Sequence, residues 1–260
     1  MKIKNDDLGC RMKKYEYVTR THLIQRMPVI IRIDVKSFHT FTKGFDKPFD
    51  EDLILSMQNT MKYLCENIQG CVLGYTQSDE ISLVLVDYQK LNSNGWFDYN
   101  IQKCSSVAAS MTTMNFNKAF HFYTNAFYTA DEVKPYYKRS AERGALFDAR
   151  CFNIPKEEVC NYFLWRQNDA VRNSISMVAQ ANFSHKELQN KSSIEMLEML
   201  SKEKNVKWDE FPSYKKYGSC CIKKNVDNGD GLNRKKWEID NDIPIFKKEG
   251  RDYIDSRVII

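Results

Sequence analysis

Hydrophobic and polar positions along the 260-residue chain follow two rhythms, one of period two and one near 3.6, and the switches between them mark out its elements. Pro28-Val29-Ile30-Ile31-Arg32-Ile33 is a near-continuous β-branched run, the pattern of a central strand covered on both faces. Leu53, Ile54, Met57, Met61, Leu64 and Cys65 then recur at helical spacing, in a segment that Asp50 can cap and that runs to about Asn67. Gln69-Gly70 ends it. Two strand-prone runs follow, Cys71-Val72-Leu73 and Leu83-Val84-Leu85-Val86, which meet at the polar tip Ser78-Asp79-Glu80. This predicts an antiparallel hairpin with two adjacent carboxylates at its turn. A second long helix is predicted over residues 96–119, with Phe97, Ile101, Cys104, Ala108 and Met111 on one face. Residues 145–154 read as a strand, and Pro155 opens a helix whose first turn carries Glu157 and Glu158.

The order is strand, helix, strand, turn, strand, helix, strand. That is the split βαβ pattern of an α/β (α+β) ferredoxin-like sheet with its helices on one face, an architecture used by polymerase palms and nucleotide cyclases. Residues 1–155 are expected to form this palm. Residues 156–260 are expected to form a mainly helical extension packed on it as one compact unit. Within it residues 161–183 read as helix, and residues 184–205 as one or two polar helices with a cap at Ser192-Ser193. Residues 208–216 read as irregular, and two short facing strands lie either side of a turn at residues 229–231. Residues 240–260 read as trailing, with only Pro244-Ile245-Phe246 anchored. Residues 1–27 suit a short helix or an extended arm, and residues 123–141 read as a connection.

Composition narrows the class. A hydrophobic share of 42% and a charged share of 28% are those of an ordinary globular protein. The net charge of +5 permits an anionic partner without requiring one. The eight cysteines form no Cys-x-x-Cys pair and sit mostly in apolar runs, so they read as small buried hydrophobes. No signal peptide and no membrane-spanning run is visible, which predicts a cytoplasmic protein with reduced thiols and no membrane partner.

Two acids carry the candidate chemistry. Asp34 follows directly on a buried strand, where open sheets often place a site, although such an Asp can equally cap the next turn. In a ferredoxin-like sheet the first strand and the hairpin are neighbours, so Asp34 and Asp79 can converge. Two close carboxylates repel unless a cation sits between them. Magnesium is the expected cation, because it prefers oxygen ligands and completes its shell with water and phosphates. Two such ions about 3.5–4 Å apart would activate an attacking oxygen and neutralise a leaving pyrophosphate. Lys47, Lys103 and Ser78 are then candidate contacts to a triphosphate. Lys103 lies off the apolar stripe and can equally be a solvated lysine.

The blocks Arg32-Ile33-Asp34-Val35-Lys36-Ser37-Phe38-His39, Lys47-Pro48-Phe49-Asp50 and Gln77-Ser78-Asp79-Glu80-Ile81-Ser82 resemble the tRNA-His guanylyltransferase family, nearest its bacterial and archaeal-type 3′–5′ polymerases. The resemblance extends from Tyr15-Glu16-Tyr17-Val18 through Phe147-Asp148-Ala149-Arg150 to Trp165-Arg166-Gln167-Asn168-Asp169. It implies a palm that adds nucleotides 3′ to 5′ at the 5′ end of a tRNA, after that end has been activated with ATP or GTP. It further implies that Asp34, Asp79 and the backbone carbonyl of Val35 hold two magnesium ions, with Glu80 supporting the catalytic pair. Ser78, Lys47 and Lys103 match triphosphate positions, and Arg32, Lys36, Ser37, Phe38 and His39 belong to the nucleotide-binding block. A homotetramer is implied as well. Lys134, Lys138, Arg139, Arg143, Arg172, Asn173, Lys215 and Lys216 are candidate tRNA contacts, chosen by charge and position.

Two departures matter. Val35 stands where the family usually has Gly; a metal contact through a carbonyl survives that change, but a backbone shape requiring glycine would not. Eukaryotic members carry a His-Ile-Asn-Asn-Leu-Tyr block, linked to anticodon-specific work, after Trp-Arg-Gln. This chain has Val171-Arg172-Asn173-Ser174-Ile175-Ser176. The difference favours templated repair of 5′-truncated tRNAs over untemplated guanylate addition to tRNA-His. A nucleotide cyclase and a non-catalytic RNA-binding module are the more distant alternatives.

Overall fold

Ile30 and Ile31 are neighbours in sequence but belong to two different hydrophobic cores. They lie on β1 (Val29–Val35), where successive side chains point to opposite faces, so one strand supplies both sides of the fold. The computed structural model describes residues 7–126, 133–227 and 233–259. With β2 (Cys71–Gln77), β3 (Glu80–Leu85) and β4 (Phe147–Asn153), β1 forms the antiparallel order β4-β1-β3-β2, the ferredoxin-like arrangement expected from the sequence. The predicted hairpin is β2–β3, closed by the pair Gln77 and Glu80.

The helices in chain order are α1 (Asp7–Val18), α2 (Phe38–Phe41), α3 (Glu51–Asn67), α4 (Ile101–Ala126) and α5 (Pro135–Arg143), followed by α6 (Val159–Asn182), α7 (His185–Leu188), α8 (Ser193–Lys204), α9 (Ser213–Tyr217) and α10 (Asp252–Val258). Asp50 caps α3 through Leu53 N at 3.0 Å, and Met57, Met61 and Leu64 bury against the sheet. Together α3 and α4 cover the face carrying Val29, Ile31 and Ile33. The opposite face, with Ile30, Leu73, Tyr75 and Val84, is covered by Val159 and Phe163 of α6 and Ile254 and Val258 of α10. The palm's own helices thus lie on one face, and the extension supplies the other. The extension also adds two strands, β5 (Ser219–Asp227) and β6 (Asn233–Asp240), which complete the sheet order β4-β1-β3-β2-β5-β6.

Several boundaries differ from the sequence reading. The second long helix begins at Ile101 rather than Trp96 and runs past Ala119 to Ala126. Phe97, Asp98 and Tyr99 adopt φ of 51°, 54° and 52°, and the Asn100 side chain receives Lys103 N at 3.0 Å to start the helix. Trp96 nevertheless buries in the same core, so it fits the apolar stripe without being helical. Part of the 123–141 connection is α5, which buries Tyr137. Residues 208–216 hold a 3₁₀ turn and α9, and the trailing end closes as α10. Residues 7–18 are helical with no buried residue. The turn expected at residues 229–231 lies outside the described residues.

Candidate active site

Asp34, the penultimate residue of β1, sits directly across from Glu80 on β3 and from Asp148 on β4. Alternation places Asp34 and Arg32 on the face opposite Ile33 and Val35. Asp79 precedes Glu80 in the two-residue hairpin loop, whose first member, Ser78, is left-handed with φ of 50°. Facing residues of an antiparallel pair lie about 5 Å apart, so the loop delivers Asp79 beside Asp34. Burial, and then the charge of Asp34, push the Asp79 carboxyl up to about 6, while its own backbone N–H and the Ser78 hydroxyl pull the other way. A carboxylate pair held in this way has unmet demand for a cation.

Glu80 does not share that demand. It is buried and receives Arg32 Nε at 2.9 Å and Nη2 at 2.8 Å, Arg166 Nε at 2.8 Å, and Ser82 Oγ at 3.3 Å. Burial pushes its pKa up against the pull of both arginines. Arg166 also donates to Asp169 at 2.6 Å, and Asp169 pairs with Arg172. The Trp165 ring lies 4.2 Å from the Arg166 guanidinium carbon and 5.7 Å from that of Arg32. An Asp34···Arg32–Glu80–Arg166–Asp169 chain therefore ties the end of β1 to α6, with Arg32 Nη2 3.9 Å from Asp34 Oδ2.

The donor set fits magnesium. Asp34 and Asp79 supply two hard carboxylates close enough for the charge of one to raise the pKa of the other. Two protein carboxylates, with waters and substrate phosphates completing the shell, is the usual magnesium arrangement. Val35 ends β1 next to Asp34 with its side chain buried, which leaves its identity to the core.

Beside the hairpin tip a cleft is lined by Phe38, Phe49, Leu53, Ser78, Asn173 and Lys215. It brings together Ser78 and Phe38, expected at a nucleotide, with Asn173 and Lys215, expected at tRNA. Lys215 Nζ lies 5.7 Å from the Phe49 ring centre and pairs with Glu51. Lys36, Ser37 and His39 are exposed at the turn into α2, and Lys36 N bonds Leu146 O at 2.8 Å. Lys47 lines a separate cavity of about 380 Å³ with Phe183, His185 and Met196.

Lys103 is placed elsewhere. Phe147 N, at the Asp34 end of the sheet, bonds Thr113 Oγ1 at 3.2 Å, and Lys103 lies ten residues earlier on α4, about 15 Å back along the helix. It sits over the Phe97 ring at 5.8 Å, at the other end of the sheet from the acids of its own chain. The helix runs back toward the site, so its first turn must lie far from it. Lys216 is also a correction: it is buried, donates to Asp209 O at 2.7 Å and sits 5.3 Å from the Trp208 ring centre, a structural position. Lys134 pairs with Asp46 at 2.5 Å and Arg139 donates to Lys43 O at 2.6 Å, so both hold α5 to the 43–46 loop. Lys138 and Arg143 are exposed on α5, and Arg172 is exposed on α6.

Arg166 was not among the expected site residues. Its signal was present: Tyr162, Phe163, Arg166 and Ala170 follow helical spacing, and a charge on an apolar stripe requires a buried partner.

Comparison with known proteins agrees with this geometry. The family profile described as tRNAHis guanylyltransferase matches residues 9–155. A bacterial tRNA(His) guanylyltransferase-like protein solved in complex with ATP is 42% identical, covering 98% of this chain and 100% of that one at a TM-score of 0.83. The corresponding complex with GTP is 39% identical over 98% of this chain and 100% of that chain, at a TM-score of 0.77. A probable tRNA(His) guanylyltransferase of Dictyostelium discoideum is 28% identical over 264 residues, covering 93% of this chain and 96% of its own. The chain therefore belongs to the tRNAHis guanylyltransferase family and is a guanylyltransferase-like nucleotidyltransferase that acts on tRNA.

Proposed function

We propose that this protein is a magnesium-dependent 3′–5′ nucleotidyltransferase that rebuilds truncated tRNA 5′ ends against the facing strand as template. The observation that carries the transfer chemistry is the Asp34–Asp79 pair, with Asp79 pushed up to about 6 by burial and by Asp34. The ATP and GTP held in the two bacterial complexes support the choice of nucleotide.

The reaction has two stages. The 5′-monophosphate of the RNA attacks the α-phosphate of ATP or GTP, pyrophosphate leaves, and a capped 5′ end results. The 3′-hydroxyl of an incoming nucleoside triphosphate then attacks the RNA 5′ phosphate, and the activating nucleoside monophosphate leaves. Asp34 and Asp79, with the Val35 carbonyl, would hold the magnesium ions, which supply charge for the attacking and leaving oxygens. Ser78 offers its hydroxyl at the cleft wall and Lys215 its charge, while Lys47 lines a separate cavity. Glu80 is a positioning residue. Its two arginines fix the start of β3, and with it the loop that presents Asp79.

Templated repair is favoured by the Val171–Ser176 stretch. Ser174 there accepts Trp208 Nε1 at 3.1 Å and Asn173 lines the cleft, so two of its positions serve packing and the nucleotide side. The test is addition to 5′-monophosphorylated tRNA-His lacking its first G, with each nucleoside triphosphate in turn and with the facing 3′ base varied. Addition that tracks the facing base supports repair; guanylate added regardless of that base supports the untemplated reaction instead. The tetramer is tested by light scattering of the full chain.

A further inference from the structure

β5 and β6 leave the sheet as a cationic ribbon. β5 pairs with β2 only through Ser219, Cys220 and Cys221, whereas its pairing with β6 runs from Cys220↔Asp240 to Asp227↔Asn233. Among the described residues, the two strands past Ile222 have only each other within the sheet. This stretch carries Lys223, Lys224, Arg234, Lys235 and Lys236.

The register gives their arrangement. Lys224 and Lys236 face each other directly, and Arg234 follows on the same side, two residues along β6. Like charges directly opposed across an antiparallel pair work against the fold. Asp240, with Oδ2 3.8 Å from Lys224 Nζ, offsets part of that repulsion. On the other side Lys223 lies 5.0 Å from the Trp237 ring centre, with Lys235 two residues from Trp237. Trp237 and Ile239 pack against the palm core and fix the base of the ribbon. Lysines on an edge strand also deter unwanted strand pairing, and the test below separates that role from docking. Opposed cations on a ribbon anchored at its base suit closely spaced anions, as on the phosphate rows of a nucleic-acid helix.

Position completes the argument. Ser219 pairs with Thr76, close to the hairpin tip, and β5 then runs away from it for eight residues, roughly 26 Å. The cations therefore lie along a line that starts near the acid pair. We propose that this ribbon docks the double-helical stem of the RNA substrate through its phosphates, about 20 Å from the Asp34–Asp79 site. The inference rests on the reading of the chain as an RNA 5′-end enzyme.

The test compares the full-length wild-type chain with the Lys224→Ala/Lys236→Ala double variant. Both are given 5′-monophosphorylated tRNA for addition kinetics, and the same tRNA at several salt concentrations for binding. The expected result is a KM for tRNA raised about tenfold with kcat unchanged. The slope of log affinity against log salt falls by about 1–2, as expected for two lost phosphate contacts. The melting temperature stays within a few degrees of wild type, since neither lysine is buried. Unchanged KM and salt slope would overturn the docking proposal, and reduced solubility in that case would assign the lysines to edge protection. Wild-type protein that binds tRNA but adds no nucleotide would defeat the enzymatic reading, while the salt slope still decides the ribbon.

Discussion

Arg166 on α6 donates to Glu80 on β3 across 2.8 Å, and both side chains are buried. The contact joins residues 86 positions apart and makes the hairpin that carries Asp79 depend on the C-terminal half. Arg166→Ala leaves Glu80 with Arg32 as its remaining arginine, and removing one partner of a buried ion pair costs about 3–5 kcal/mol. Denaturant unfolding reads that loss. Arg166→Lys recovers only part of it, because an ammonium cannot engage Glu80, Asp169 and the Trp165 face together.

Asp79→Ala removes one of the two carboxylates offered to magnesium. Nucleotide addition drops to background, while tRNA binding stays within a few-fold, because the positive surfaces are untouched. Gel-shift titration alongside an end-labelled addition assay separates the two. Loss of both together would show that the acid pair serves to hold RNA.

The raised pKa of Asp79 gives the metal-free protein a specific pH dependence. Its carboxyl shifts from 3.8 to about 6, so the native state takes up the proton more readily than the unfolded chain. The resulting contribution to stability is full below about pH 3.8 and is lost as pH rises through about 6. Metal-free Asp79→Asn, which never ionises, is therefore more stable than wild type at pH 8, by about 1–2 kcal/mol once solvent screening of this half-buried group is included. Near pH 4 the two converge. Magnesium raises the wild-type melting temperature more at pH 8 than at pH 5, and barely moves that of the variant.

Lys215 and Lys216 are adjacent and predict opposite phenotypes. Lys215 lines the cleft beside Ser78, so Lys215→Ala raises the KM for nucleoside triphosphate about tenfold with little change in melting temperature. Lys216 is buried between aromatic rings and bonded to a carbonyl, so Lys216→Ala lowers the melting temperature and leaves the nucleotide KM alone. Steady-state kinetics and thermal denaturation of both variants decide the assignment.

The central strand, the Asp50-capped helix and the hairpin were legible because each carries an uninterrupted period and its own punctuation. The convergence of Asp34 and Asp79 followed from topology alone, since the first and third strands of this sheet are neighbours. The distance of Lys103 from the acids of its own chain was not legible, because sequence position on a helix says nothing of which end of the sheet that position faces. Arg166 and the tie between Trp208 and Ser174 rest on contacts between distant segments, which no local pattern encodes. Of the sheet's second cover, the helix over residues 161–183 was legible and α10 was not: it buries two residues, Ile254 and Val258, too few to register as a stripe.

The pairing of β5 with the outer side of β2 has a consequence for how the protein is made. During synthesis β2 emerges first, and Ser219–Cys221 follow about 140 residues later. At roughly 5–20 residues per second the nascent palm holds an open, apolar sheet edge for about 7–28 s. A ribosome stalled in that interval would present Gly74, Tyr75 and Thr76 to any passing strand. The C-terminal segment thus closes an edge that the preceding strands leave open, and a chain truncated before Ser219 is expected to aggregate, which sedimentation of the truncated chain would read.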